Sequence, residues 1–76
     1  MTSNTVRNET RKDLVDFQYW WNELAFEVYC AVRSNNKSEY DKATETLQKF
    51  EARVKRDYPK TYDKLKRPYP KKHPSW

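Results

Sequence analysis

Between residues 14 and 32 the apolar positions fall into two helical registers. Leu14, Phe17, Trp21, Leu24, Val28 and Ala31 recur at 3-4-3-4-3 spacing. At 100° per residue this stacks them on one side of an α-helix, and Ala25 and Val32 widen the stripe. A second set, Val15, Tyr19, Phe26 and Cys30, follows 4-7-4 spacing and lies roughly opposite. Trp20 and Tyr29 flank the main stripe. What remains polar is a narrow strip of Asp16, Glu23 and Glu27 with Gln18 and Asn22. A surface helix hides one stripe, whereas one that is apolar nearly all round has neighbours on two sides. Either both faces belong to the core, or the second face binds another chain. The second reading makes Val15, Tyr19, Trp20, Phe26, Tyr29 and Cys30 the candidate protein interface.

The helix is expected over about residues 11–33, opened by Thr10 and Asp13 in the pattern of a capping box. Residues 34–37 (Ser-Asn-Asn-Lys) read as a turn, in which Asn35 or Asn36 supplies the left-handed step usually given to glycine. Ser38, followed three residues later by Asp41, is the expected cap of a second helix over about 39–57. Its apolar residues Tyr40, Ala43, Leu47, Phe50 and Val54 keep 3-4-3-4 spacing. Most other positions are charged, so this helix has one sticky face. Trp21, Leu24, Leu47 and Phe50 are the expected seam. Pro59 ends the second helix near Asp57 and opens a short third helix over about 59–66 that offers Tyr62 and Leu65. Residues 67–76 (RPYPKKHPSW) hold three prolines and read as an extended, polyproline-like tail. Residues 1–10 read as a frayed polar arm. The fold class is therefore all-α: an antiparallel two-helix hairpin with a short third helix over residues 1–66, then an extended, Pro-rich basic tail over 67–76.

Composition narrows the function. A chain of 76 residues makes one small domain with a limited core, a size that favours oligomers. Helix 1 carries more apolar surface than one hairpin hides, so a homodimer is expected, with Tyr19, Phe26 or Cys30 near its interface. One cysteine allows no intrachain disulfide, which fits a reducing, cytoplasmic setting. Cys30 reads as a small buried hydrophobe rather than a reactive thiol. Neither a signal peptide nor a membrane span is expected.

The net charge of +5 hides a gradient: residues 1–30 sum to −2, residues 31–54 to +1 and residues 55–76 to +6. The basic segment interleaves Lys55, Arg56, Lys60, Lys64, Lys66, Arg67, Lys71 and Lys72 with Tyr58, Tyr62, Tyr69 and Trp76. Cations neutralise phosphates and aromatic faces stack on unpaired bases. Nucleic-acid binding through Lys55, Arg56, Lys60, Lys64, Lys66, Arg67, Tyr69, Lys71, Lys72 and Trp76 is thus an alternative to a solubilising tail whose rings pack on the hairpin. The acidic strip of helix 1 is a landing place for a basic surface, the chain's own tail included.

Little points to catalysis. The sole histidine, His73, lies in the proline-rich segment, and one cysteine with one distant histidine does not make a zinc site. Glu23 and Glu27 one turn apart resemble paired carboxylates, but such a strip is far more often a solvated face. The sequence leads to a small non-enzymatic interaction protein with no cofactor, metal, membrane or small-molecule substrate, acting on a protein partner in a regulatory or inhibitory role. A phage-encoded inhibitor of a host protein is one role of this kind, by analogy of size and composition alone.

Overall fold

In the computed structural model, which describes residues 9–76, the chain forms three helices: α1 (Arg11–Arg33), α2 (Lys37–Asp57) and α3 (Pro59–Lys64). The two long helices pack together as a helical hairpin. Both ends of α1 follow from local chemistry. Thr10 Oγ1 accepts from the Asp13 backbone N–H at 3.1 Å, and Asp13 Oδ2 accepts from the Thr10 N–H at 2.9 Å. This reciprocal pair satisfies two donors that a helix start leaves free. At the other end Asn35 takes φ of 51°, the left-handed step that reverses the chain without a glycine.

Two boundaries differ from expectation. Helix α2 begins at Lys37 rather than near residue 39, and its cap is Asn36, whose Oδ1 accepts from the Glu39 N–H at 3.1 Å. One left-handed residue suffices for the turn, so Asn36 is already placed to cap and Ser38 lies inside the helix. Lys37 then reaches Asp41 one turn on, at 2.9 Å. Helix α3 stops at Lys64, not residue 66, because the Gln18 side chain captures the Lys66 backbone. Its Oε1 accepts from the Lys66 N–H at 2.8 Å and its Nε2 donates to the Lys66 carbonyl at 2.9 Å. Both Lys66 backbone groups are thereby satisfied outside a helix, and Arg67 before Pro68 disfavours helical geometry as well.

The core is one layer of contacts between the helices. Trp21, Ala25 and Val28 of α1 meet Leu47 and Val54 of α2 and Leu65 just beyond α3, all buried. Phe17 packs edge-on against Phe50 (6.0 Å between centroids) and Tyr58 (4.7 Å), while Trp21 lies 6.3 Å from Phe50. Of the expected seam, Trp21 and Leu47 are buried but Leu24 and Phe50 are half-exposed. They pack against the core from the edge of the layer.

Residues 67–76 form no helix. They are tied to the hairpin on one side: the Trp21 indole N–H donates to the Pro68 carbonyl at 2.8 Å. The Trp76 indole N–H donates to Asn35 Oδ1 at 3.0 Å, and its ring packs 4.8 Å from Tyr40. The chain thus passes from α3 back to the turn between α1 and α2. Of the arm expected over 1–10, residues 1–8 lie outside the described residues. Glu9 is not frayed: its Oε1 accepts from the Thr61 N–H at 2.6 Å. Among the described residues no helix is long and apolar enough to cross a membrane.

Candidate functional site

Helix α1 turns 100° per residue, so each neighbour takes a fixed sector of its surface. Helix α2 takes the Trp21–Val28 side. The C-terminal segment takes the adjacent flank through Gln18 and Trp21. Among the described residues nothing covers the sector opposite α2. There Val15 is 60% exposed, Tyr19 57%, Phe26 59% and Tyr29 44%, with Trp20 at 53% on the far flank. Cys30 is exposed on the same face. All six residues of the candidate protein interface therefore lie at the surface. The reading in which both faces of helix 1 belong to the core is overturned, and so is a buried Cys30. The reason is supply: α2, α3 and the C-terminal segment are already committed to the other sectors.

The outer face is ordered by its own contacts. Tyr19 and Trp20 meet edge to face at 5.4 Å, and Phe26 and Tyr29 lie 6.2 Å apart. Arg33 Nη1 donates to the Tyr29 hydroxyl at 3.0 Å, with its guanidinium 5.7 Å from the ring centre. Asp16, Glu23 and Glu27 border this face. All three are exposed and, among the described residues, take part in no ion pair. Residues 66–76 meet this strip only at its neutral member Gln18, and their other contacts are to Trp21, Asn35, Tyr40 and Gln48.

The basic segment is arranged differently. Lys55, Arg56, Lys60, Lys64, Lys66, Arg67, Lys71 and Lys72 are all exposed. Arg56 pairs with the neighbouring Asp57 at 3.0 Å, which raises its pKa through the hydrogen bond and the adjacent charge. The Arg67 guanidinium lies 4.0 Å over the Tyr62 ring. The Tyr62 hydroxyl donates to Glu51 Oε2 at 2.8 Å, and this bond holds the phenolic proton and raises its pKa. Of the two rings offered for base stacking, Trp76 is engaged with Tyr40 and Asn35. Tyr69 is 42% exposed, with its hydroxyl 3.5 Å from the Gln48 amide. The eight cations thus share a charge at the surface, whereas the Trp76 ring is engaged by Tyr40 and His73.

Two hollows that the sequence did not suggest lie between α1 and α2, on the side away from residues 67–76. One, of about 320 Å³, is floored by Phe17, Leu24 and Phe50 and edged by Trp20 and Arg53. The other, of about 390 Å³, lies nearer the turn and is edged by Glu27 and Lys42 over Ala31 and Ala43. The available signal was the pairing of half-buried apolar residues with charges at helical spacing on both helices.

Among the described residues no group of three or more His, Cys, Asp or Glu is placed to hold a metal ion. His73 is engaged in its own turn, where Nδ1 accepts from the Ser75 N–H at 3.1 Å and its ring lies 5.4 Å from Trp76. No family model, curated protein or solved structure matches this chain.

Proposed function

We propose that this protein is a non-enzymatic interaction module: an antiparallel helical hairpin, strapped on one side by an extended tail, that presents the outer face of α1 to a protein partner. The observation that carries this reading is the exposure of Val15, Tyr19, Phe26 and Tyr29 together on one helix face, between 44% and 60% each. A contiguous apolar patch of aromatic residues on a small soluble fold marks an interaction site, and aromatic anchors dominate the energetics of such sites. Binding by this face covers a partner's surface and makes the protein a regulatory or inhibitory accessory.

The nucleic-acid reading keeps one supporting observation, the eight exposed cations of residues 55–72. With Trp76 held by the hairpin, such binding rests on phosphate contacts and weakens steeply with salt. Affinity capture from the source cells, with nuclease and at low and high salt, separates the two. A protein retained at high salt by the wild type and lost with Phe26→Asp supports the outer face. Capture that resists Phe26→Asp but disappears with nuclease, or with Lys71→Ala and Lys72→Ala, moves the function to the basic segment.

A further inference from the structure

The outer face of α1 is not the only uncovered surface. The hairpin is a single layer of helices: residues 67–76 cover one side, and the two hollows between α1 and α2 open on the other. That open side has a charge pattern of its own. On α1 it carries Trp20 and Glu27, which edge the hollows. Asp16 and Glu23 lie one turn from them on the same side. On α2 it carries Arg53 and Lys42, which edge the same hollows, with Lys49 one turn before Arg53. The open side is therefore an apolar floor with an acidic rim along α1 and, apart from Glu39 near the turn, a basic rim along α2. Among the described residues none of Asp16, Glu23, Glu27, Lys42 and Arg53 has an ion-pair partner, and Lys49 has only an exposed contact to Glu45 at 3.4 Å.

The two rims are in register. Trp21 is level with Phe50, and Phe17 lies between Phe50 and Tyr58. Each step up α1 is thus matched by a step back along α2. By this register Asp16 is level with Arg53, Glu23 with Lys49 and Glu27 with Lys42, each to within two residues or about 3 Å of helix rise.

We propose that the open side is the interface for a second copy of this chain, stacked hairpin on hairpin as a four-helix homodimer. The two-fold axis runs parallel to the helices, between the layers. This operation lays α1 of one copy over α2 of the other at the same level. Asp16, Glu23 and Glu27 of each copy then face Arg53, Lys49 and Lys42 of its mate, on both halves of the interface. Trp20, 53% exposed in the single chain, comes level with the mate's Phe50 and Arg53. The alternative two-fold, which lays α1 over α1, brings acid against acid and base against base. A dimer through the outer face of α1 about its midpoint likewise sets the Glu23 side chains of the two copies together. Helices of this length span about 30 Å and two side by side about 20 Å. The buried area is then on the order of 1,200 Å² in total, the lower end of what a specific interface needs. The stack shares Trp20 and the acidic border with the outer face, and Phe26 and Cys30 line the hollow nearer the turn; Val15, Tyr19 and Tyr29 stay outside it.

The test is a charge exchange read by sedimentation equilibrium of the full chain. The wild type is expected at twice its 9.3 kDa mass at tens of micromolar, on the order of what a small, wet interface supports. One variant reverses the acidic rim (Asp16→Lys, Glu23→Lys, Glu27→Lys) and another the basic rim (Lys42→Glu, Lys49→Glu, Arg53→Glu). Each is expected to be a monomer alone, because its two rims now carry one sign. Mixed in equal amounts they are expected to form a heterodimer, since each rim again meets its opposite. All six positions are exposed, and circular dichroism of each variant checks that the helices persist. A monomeric wild type at high micromolar concentration overturns the proposal. So does a folded mixture that stays monomeric, or a dimer that survives both reversals but is lost with Val15→Asp on the outer face.

Discussion

At the scale of single residues, Trp21 does the most. Its ring is buried between the helices and its indole N–H holds the Pro68 carbonyl at 2.8 Å. Trp21→Phe keeps most of the apolar volume but leaves that carbonyl unpaired, with an expected loss of about 1–2 kcal/mol in urea unfolding. Leu47 and Leu24 separate core from edge. Leu47→Ala empties a fully buried site and is expected to cost about 2–5 kcal/mol. Leu24→Ala, at a half-exposed site, should cost roughly half as much. Equal losses would place both side chains in the same environment and contradict the open edge. Glu9 gives a pH signature. Burial pushes its pKa up, but hydrogen bonds from the Thr61 backbone and hydroxyl and from the Lys60 backbone, with the Lys60 charge, outweigh that and lower it. A carboxylate lowered in the folded state stabilises above its unfolded pKa, and that contribution is lost as pH falls through the folded value. Glu9→Gln should therefore unfold at lower urea than wild type at pH 7, with the difference vanishing below the ordinary carboxylate range near pH ~4. A difference that persists in acid would assign another role to Glu9. The Glu9 anchor was not legible in the sequence, because Thr61 lies 52 positions away and only tertiary structure joins them.

At the scale of elements, the helix ends with local signals are legible in the sequence. The bounds of α1 follow from Thr10 and Asp13 at one end and Asn35 at the other, all signals within a few residues of the boundary. The start of α2 was less determinate because Asn36 and Ser38 are both good caps, and only the length of the turn chooses between them. The end of α3 is set from outside, by the Gln18 amide on Lys66. Gln18→Ala should free both Lys66 backbone groups and loosen residues 65–68, seen as faster amide exchange at Lys66. Exchange at Lys66 unchanged by the substitution would mean that α3 stops for its own reasons, such as the Arg67–Pro68 step. The periodicity of α1 told correctly that it has two apolar faces. It did not tell which is used, because Phe26 and Val28 are alike in hydrophobicity, and only the number of available neighbours decides which becomes core.

At the scale of the whole molecule, the described residues 9–76 offer three helices and one tied segment to cover one another, and among them that is too little. The segment of residues 67–76 closes one side of the hairpin; the outer face of α1 and the open side between α1 and α2 remain. The charge gradient runs along the chain, from −2 over residues 1–30 to +6 over residues 55–76. The interfaces proposed above would complete burial that a chain of this size supplies only in part by itself. The fold buries only one side of α1, and the unfolding free energy of Phe26→Asp is the decisive measurement. With Phe26 on an uncovered face, the substitution should leave stability within about 0.5 kcal/mol of wild type, as for surface positions generally. A loss of several kcal/mol, the cost of a charge forced into an apolar interior, would show that this face is core and contradict the account.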